Sequence, residues 1–249
     1  MAVTFRITPY TVPCAGLPAP LCLAVAADLH SGDAAPLLAA LSAIRPDAVL
    51  FPGDFSDGPG KEEAGLHALA SAAQTYPVFC SLGNHEMYSE LPLTFWHSAV
   101  KESGARLLHG DSVFFRGLLL GGLGSGYAPG EKQRRWKKTP TPDTAFIDRF
   151  ADAAGPKLLL CHHPEYYDPY LRGKNVGLVV AGHAHGGQWQ IGGRGVFAPG
   201  QGLFPRYTAG LYDGHLLVSR GLCATHRVFM RFGNPREVLA LSLIPDASK

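Results

Sequence analysis

The sequence has few of the features that define membrane, secreted and nucleic-acid-binding proteins. Only 17% of its 249 residues are charged and the formal net charge is +2, so overall charge does not indicate nucleic-acid binding. Five cysteines, an odd number without a CxxC pair, argue against a disulfide framework or a zinc ribbon. No apolar run is long enough to cross a bilayer, and the first ten residues do not resemble a signal peptide. We therefore expect a cytoplasmic globular protein.

The sequence does contain several short apolar runs, each ending in a polar cluster. Thirty Gly and twenty Pro indicate frequent turns, and runs of this length bounded by such residues are typical of buried strands. The runs are Leu21–Ala27, Ala48–Phe51, Val78–Leu82, Leu158–Cys161 and Gly177–Ala181. Further strands are expected within Leu107–Leu120, Leu216–Ser219 and Val238–Leu243, the last two in an antiparallel layer.

Helical patterns lie between these runs. Asp33 and Asp143 are each placed to cap a helix, and residues 61–75 and 94–103 carry apolar side chains at helical spacing. Alternation of strands and helices predicts an α/β fold. We expect one domain over residues 1–249, with two packed mixed β-sheets flanked by helices in four layers.

The polar clusters supply carboxylates, an amide and imidazoles, which are ligands for divalent metal ions such as Mn²⁺, Fe²⁺, Zn²⁺ or Mg²⁺. Ligands in open α/β sheets bind where the loops after the strands meet, so these side chains are expected to converge. They are Asp28, His30, Asp54, Asn84, His162, His183 and His185. Seven donors exceed the needs of one four-coordinate ion and suit two ions that share a carboxylate. No cysteine is among them.

The order of these clusters resembles the calcineurin-like metallophosphoesterases. The matching motifs are Asp28-Leu29-His30, Gly53-Asp54, Gly83-Asn84-His85-Glu86, His162 and Gly182-His183-Ala184-His185. The longer stretch Gly182–Gln188 (GHAHGGQ), together with residues 219–222 and 234–237, is similar to a branch of small bacterial phosphodiesterases, often membrane-associated or exported. The resemblance implies a metallophosphoesterase-like sandwich.

The resemblance also implies roles for individual residues. Asp28, His30 and His185 would hold one divalent ion, and Asn84, His162 and His183 would hold another. Asp54 would bridge them. The ions, with Mn²⁺ the first choice, would supply hydroxide for in-line attack on phosphorus, and His85 would protonate the leaving group as general acid. Whether Glu86 or Asp57 orients His85 stays open.

The expected function is thus a dinuclear metal-dependent phosphohydrolase. A phosphodiesterase or pyrophosphatase acting on a small anionic phosphate ester is favoured, and a nucleic-acid substrate is disfavoured. The alternative is a catalytically silent scaffold or binding module on the same fold. A metallohydrolase acting on amide or ester bonds is a weaker alternative, because neither HExxH nor HxHxDH is present.

Several features have no assigned role. The basic segment Lys132–Lys138 is either a solvated loop or a cap that attracts an anionic substrate or a phospholipid surface. Peripheral contact with a membrane or a lipid-linked substrate is a further expectation. Trp189 is expected to pack in the core, and stacking on a nucleobase or sugar is its alternative. His163 is a weaker candidate for contact with a substrate phosphate.

Overall fold

The computed structural model describes residues 4–131, 139–223, 225–226 and 229–246. The basic segment 132–138, for which a cap over the site was considered, lies outside the described residues. Within these ranges no helix is both long and apolar enough to cross a membrane.

The first of two six-stranded sheets contains both ends of the described chain. Its spatial order is β1 (Arg6–Cys14), β18 (Glu237–Pro245), β2 (Leu21–Val25), β3 (Ala48–Phe51), β4 (Val78–Cys80) and β5 (Arg106–Leu107). Strands β2 to β5 are parallel to their neighbours, whereas β18 runs antiparallel to β2 and parallel to β1. Strand β1 was not predicted, since Pro9 and Pro13 interrupt its pattern. It lies at the sheet edge, where proline is tolerated.

The second sheet is also mixed. Its order is β14 (Gly210–Tyr212), β15 (Leu216–Val218), β9 (Leu178–Ala181), β8 (Lys157–Cys161), β7 (Leu118–Leu123) and β6 (Asp111–Phe115). The expected separate antiparallel layer in the C-terminal third is wrong, although both strands make antiparallel pairs. Strand β15 pairs antiparallel with β14 and parallel with β9, and β18 pairs antiparallel with β2 in the other sheet. Strand β15 lies between β14 and β9, and β18 lies between β1 and β2, where both supply apolar side chains to the core.

Three apolar layers show how the sheets pack. Leu23 and Val25 of β2 face the second sheet, where they join Leu158 and Leu160 of β8. The alternate residue Ala24 faces a separate apolar cluster together with α1 (Ala34–Ile44), α2 (Glu62–Ala73) and α4 (Leu93–Glu102). Helix α5 (Thr144–Asp152) packs on the outer face of the second sheet. The four-layer α/β sandwich with two mixed sheets is therefore confirmed.

The expected helices are present with the expected caps. The Asp33 carboxylate accepts a hydrogen bond from the backbone N–H of Ala35, and Asp143 accepts one from Phe146. Short segments complete the described structure: α3 (Asn84–Met87), single turns at Pro164–Tyr166, Tyr167–Leu171 and His185–Gly187, and three small hairpins. The hairpins pair β10 (Gln190–Ile191) with β11 (Arg194–Gly195), β12 (Phe197–Ala198) with β13 (Gly202–Leu203), and β16 (Thr225–His226) with β17 (Phe229–Met230).

Candidate metal centre

The seven predicted ligands lie together at the edge where parallel strands of both sheets end. Each follows the carboxyl end of a strand: β2, β3 and β4 in the first sheet, and β8 and β9 in the second. Six of the seven are at most 3% exposed, and the side chain of the seventh, His30, is 5% exposed. The sandwich thus brings two groups of donors, separated by about 80 residues or more along the chain, into one buried site.

The backbone at this edge adopts an unusual conformation. Asp28, His30, Asp54, His183 and His185 all have φ between 46° and 63°, in the left-handed region. Non-glycine residues held there cost about 1–3 kcal/mol each, and such strain collects at functional sites. The conformation bends each loop sharply after its strand, which directs the side chain back over the sheet edge.

Glycines leave room for the two buried carboxylates. A Cβ atom at Gly83 would lie 2.2 Å from Asp54 Oδ1, and one at Gly182 would lie 2.8 Å from Asp28 Oδ2. Gly221, at φ 75°, would place a Cβ 2.7 Å from the same Asp28 oxygen. The motif glycines are therefore needed for space around the carboxylates.

Asp54 belongs to two groups of potential ligands. Its carboxylate lies with Asp28 and His30 in one group and with His162 and His183 in the other, with all ligand atoms of a group within 4.8 Å of one another. Asp54 Oδ2 is 3.1 Å from His162 Nε2 and 3.7 Å from His30 Nε2. The Asn84 Oδ1 atom is also 3.1 Å from His162 Nε2. A carboxylate shared between two clusters is the arrangement that a bridged pair of ions requires.

The donors fit divalent cations. Among the described residues, His30 Nε2, His183 Nε2 and Asp54 Oδ2 are buried and make no hydrogen bond. A buried polar atom left unsatisfied costs about 1–3 kcal/mol, which ligation would remove. Two such atoms are imidazole nitrogens and one is a carboxylate oxygen, a donor set suited to Mn²⁺, Fe²⁺ or Zn²⁺.

The charged groups inside the site shift one another's pKa values. Although burial favours its neutral form, the charges of His162 and His85 hold the pKa of Asp54 well below its usual range. Burial lowers the pKa of His162, but Asp54 outweighs it and raises the value to about 9. Burial and the adjacent His163 lower the pKa of His183 well below its usual range.

A second set of contacts holds the donors in place. His162 Nδ1 lies 3.0 Å from the Pro52 carbonyl oxygen, which leaves Nε2 facing Asp54 and Asn84. Such contacts from the second ring nitrogen are a regular feature of metal-binding histidines. The Asp28 carboxylate accepts hydrogen bonds of 2.9 and 3.1 Å from the backbone N–H of His183. These two contacts join the loop after β2 in the first sheet to the loop after β9 in the second.

Glu86 is a fully buried support for this site. Its carboxylate accepts hydrogen bonds from the backbone N–H groups of Asp54 (2.9 Å), Ser56 (2.8 Å) and Gly83 (2.7 Å). Burial and the charge of Asp54 raise its pKa to about 7. Since both Glu86 oxygens are bonded to backbone N–H groups, this residue fixes the loops after β3 and β4.

Asp57 occupies the position that the sequence left undecided. Its Oδ1 atom is 3.3 Å from His85 Nδ1 and also 3.3 Å from His30 Nδ1, and Lys61 forms an ion pair with its other oxygen. Burial lowers the pKa of His85, but Asp54 and Asp57 outweigh it and raise the value. The His85 ring contacts the His30 ring at a centroid distance of 4.4 Å. His85 therefore borders the metal donors with Asp57 behind it.

The expectation that Trp189 packs in the core is wrong, whereas contact of His163 with a substrate phosphate stays a weaker prediction. His163 is fully buried, with Nε2 2.9 Å from Ser125 Oγ and Nδ1 3.3 Å from Glu165. Trp189 is 43% exposed and does not pack in the core. It follows Gln188, whose positive φ turns the chain outward after the metal-donor loop.

A cavity of about 310 Å³ opens beside the donors. His30, Asp57 and Cys223 line one side, and the other walls include Phe5, Leu29, Pro36, Leu222 and Arg236. The Arg236 guanidinium lies 5.4 Å from the centre of the Phe5 ring. The lining also includes Asp33, so the cavity combines apolar walls with one cation and two carboxylates next to the metal centre. No sequence motif indicated this cavity, because its walls come from distant parts of the chain.

Comparison with known proteins agrees with the chemistry of this edge. The family model described as calcineurin-like phosphoesterase matches residues 23–187. An uncharacterized metallophosphoesterase of Helicobacter pylori J99 is 28% identical over 204 residues, covering 80% of this chain and 51% of that protein. The chain thus spans about half the length of the Helicobacter relatives that it matches.

Phosphodiesterase YaeI of Escherichia coli K12 is 27% identical over 243 residues, covering 91% of this chain and 83% of that protein. Among solved structures, the phosphopantetheinyl hydrolase PptH of Mycobacterium tuberculosis superposes with a TM-score of 0.46 at 14% identity. That match covers 83% of this chain and 88% of PptH.

Proposed function

Because the chain belongs to the calcineurin-like phosphoesterase family, we propose that it hydrolyses phosphate esters at a dinuclear metal centre. A phosphodiester or pyrophosphate of a small molecule is the proposed substrate. The similarity to phosphodiesterase YaeI supports a diester, and supports assignment to the bacterial branch with the GHxHGGQ motif. The observation that carries the proposal is the Asp54 carboxylate shared between two buried groups of donors.

The metal ligands are proposed from the same geometry. Asp28, His30 and His185 would hold one ion and Asn84, His162 and His183 the other, with Asp54 between them. When bound, two divalent ions would supply an acidified water as nucleophile and neutralise charge on the phosphoryl oxygens. Nitrogen and oxygen donors make Mn²⁺ our first choice of ion.

His85 is proposed as the general acid. Protonation of a leaving alkoxide by a placed imidazole accelerates such reactions by about 10²–10⁴-fold. The position of Asp57, 3.3 Å from His85 Nδ1, leaves the other ring nitrogen to face the leaving group. The raised pKa of His85 favours the protonated form that this role requires.

The adjacent cavity supports a small substrate that carries an apolar group. Phe5, Leu29 and Leu222 offer apolar contacts, and the polar lining combines Arg236 with the carboxylates of Asp33 and Asp57. A cavity of about 310 Å³ is at the lower end of volumes for small-molecule sites. Long nucleic acids are not favoured by this shape.

The first test is hydrolysis of bis(p-nitrophenyl) phosphate and p-nitrophenyl phosphate by protein stripped with a chelator and refilled with one metal at a time. We expect metal-dependent activity that prefers the diester and is lost in Asp54→Ala. Two ions bound per chain without hydrolysis of any ester would instead favour the scaffold alternative. Failure to bind two ions would contradict both the ligand assignment and the mechanism.

We also propose that the chain contacts an anionic lipid surface through an exposed apolar patch. The patch consists of Trp189, Ile191, Leu203, Phe204 and Phe232, each 43–80% exposed. Trp189 bridges to Phe232, and Val196 links the backbones of Trp189 and Phe204, so these segments adjoin one another. The patch begins four residues after His185, which places it beside the metal centre.

Charge favours a lipid surface over an uncharged partner. Arg194 is exposed opposite Ile191 on the paired strand, and Arg206 is exposed two residues after Phe204. Apolar side chains among cations are typical of proteins that bind anionic lipid. We expect sedimentation with vesicles of phosphatidylcholine and phosphatidylglycerol but not with phosphatidylcholine alone.

A matched pair of variants tests this contact. Phe204→Ser with Phe232→Ser should abolish vesicle binding, while Phe114→Ser, at a 67% exposed site on β6, should retain it. Equal binding by all three proteins would contradict the proposal. Loss of a dimer, without any effect on vesicles, would identify a second copy as the partner instead.

A single domain over residues 1–249 is likewise proposed. It is supported by the pairing of β1 with β18, which joins the two ends of the described chain in one sheet.

A further inference from the structure

Cys223 lies beside one of the two groups of metal donors. Its sulfur forms a group with ring nitrogens of His30 and His185, and all three atoms lie within 4.8 Å of one another. Its backbone N–H donates a 2.8 Å hydrogen bond to the Asp28 carbonyl oxygen. His30, His185 and Asp28 are the three residues proposed for a single ion, so the thiol is at that same position. The sequence motifs had indicated ligands of nitrogen and oxygen only.

The separation is compatible with binding to one ion. Metal–nitrogen and metal–sulfur bonds are about 2.0–2.1 and 2.3 Å long, so donors on one ion are at most about 4.4 Å apart. The three ligand atoms lie within 4.8 Å of one another, and this upper limit exceeds the maximum for one ion by only a few tenths of an ångström. The rings of His30 and His185 already stack at a centroid distance of 5.1 Å, beside the thiol.

Two independent features point to a ligand here. The His30 side chain is 5% exposed, and its Nε2 atom makes no hydrogen bond among the described residues. On the other side, the Arg231 Nη1 and Nη2 atoms are buried without a hydrogen-bond partner in that part of the chain. Electrostatic interactions link this guanidinium to Cys223 and Asp28. Cysteine binds metal ions as a thiolate.

We infer that Cys223 is an additional protein ligand at the metal position of Asp28, His30 and His185. The inference rests on the proposed dinuclear centre and adds a soft donor to it. Thiolate selects Zn²⁺, Co²⁺ or Fe²⁺ over Mn²⁺ and Mg²⁺. Cys223 thus moves the preference of this one position away from Mn²⁺, and leaves the position of Asn84, His162 and His183 as a nitrogen and oxygen site.

The experiment uses chelator-stripped protein loaded with Co²⁺ and follows its absorption. A sulfur ligand produces a thiolate-to-cobalt charge-transfer band in the near ultraviolet, which nitrogen and oxygen ligands do not. We expect this band in the unmodified protein, its loss in Cys223→Ser, and its retention in Cys14→Ser, a half-buried cysteine on β1. Both variants should still bind cobalt.

X-ray absorption of the zinc-loaded, unmodified protein gives a second reading that needs no variant. A sulfur neighbour at about 2.3 Å from zinc is expected. Two cobalt ions bound per chain without the band, or zinc without a sulfur neighbour, would overturn the inference and leave the dinuclear centre intact. Failure of the unmodified protein to bind cobalt or zinc would overturn both.

Discussion

Replacing Asp57 by Asn tests whether His85 acts as a general acid held by a carboxylate. The Asp57 Oδ1 atom is 3.3 Å from His85 Nδ1 and raises the His85 pKa. A hydrogen bond to a charged group contributes about 1.5–3 kcal/mol, which corresponds to about 1–2 pKa units. Because the Asp57 side chain is 29% exposed, we expect the lower end, a fall of about one unit.

The sign of the effect follows from the form that His85 must take. A general acid must be protonated, so a lower pKa moves the alkaline limb of the kcat/KM profile to lower pH by about one unit. Above this limb, activity should fall by about tenfold. The loss should be greater for a phosphodiester with an alkyl leaving group than for bis(p-nitrophenyl) phosphate, because p-nitrophenolate leaves without needing a proton.

The assay measures kcat/KM against pH for both esters at saturating metal, with the bound metal counted because Asp57 also contacts His30. Lys61→Met is the matched control, since it removes the ion pair with Asp57 but keeps the carboxylate. Exposed pairs contribute about 0.2–1 kcal/mol, so its effect should be small. An equal loss with both leaving groups, or an unmoved alkaline limb, would refute the role of His85 as general acid.

Three further predictions follow from the packing of the site. Gly221→Ala should weaken metal binding at least tenfold in isothermal titration, because the new Cβ atom would lie 2.7 Å from Asp28 Oδ2. Gly214→Ala is the control, since Gly214 has a similar φ of 72° but open space around the added Cβ atom, and it should not weaken binding. Equal effects of the two substitutions would mean that backbone strain alone is responsible. Glu86→Gln turns an amide donor toward one or more of the three backbone N–H groups that bond to the carboxylate. It should therefore lower the free energy of unfolding by about 1–3 kcal/mol and the Tm by about 2–10 °C in calorimetry. Removal of metal should lower the Tm, since an ion at 100 times its Kd stabilises the folded state by about 2.7 kcal/mol; an unchanged Tm would contradict metal binding to these buried donors.

The sequence alone predicted most of the strands and helices, the four layers and a candidate set of metal donors. Apolar runs separated by turns and capped helices are local features, so β2, β3 and α1 were predicted from their own residues. The ordered motifs likewise predicted Asp28, Asp54 and the paired histidines after β9 as ligands, because metal chemistry restricts which side chains can serve.

Only the tertiary structure decided what depends on contacts between distant segments. It placed Asp57, and not Glu86, beside His85, since Glu86 is occupied by the backbone N–H groups of two loops. Strand β1 was missed because its prolines are acceptable only at an edge that folding creates. Cys223 is not part of any of the metal-binding motifs recognised in the sequence. Its position beside His30 and His185 arises because the loop after β15 crosses to the end of β2, a contact that no local pattern encodes.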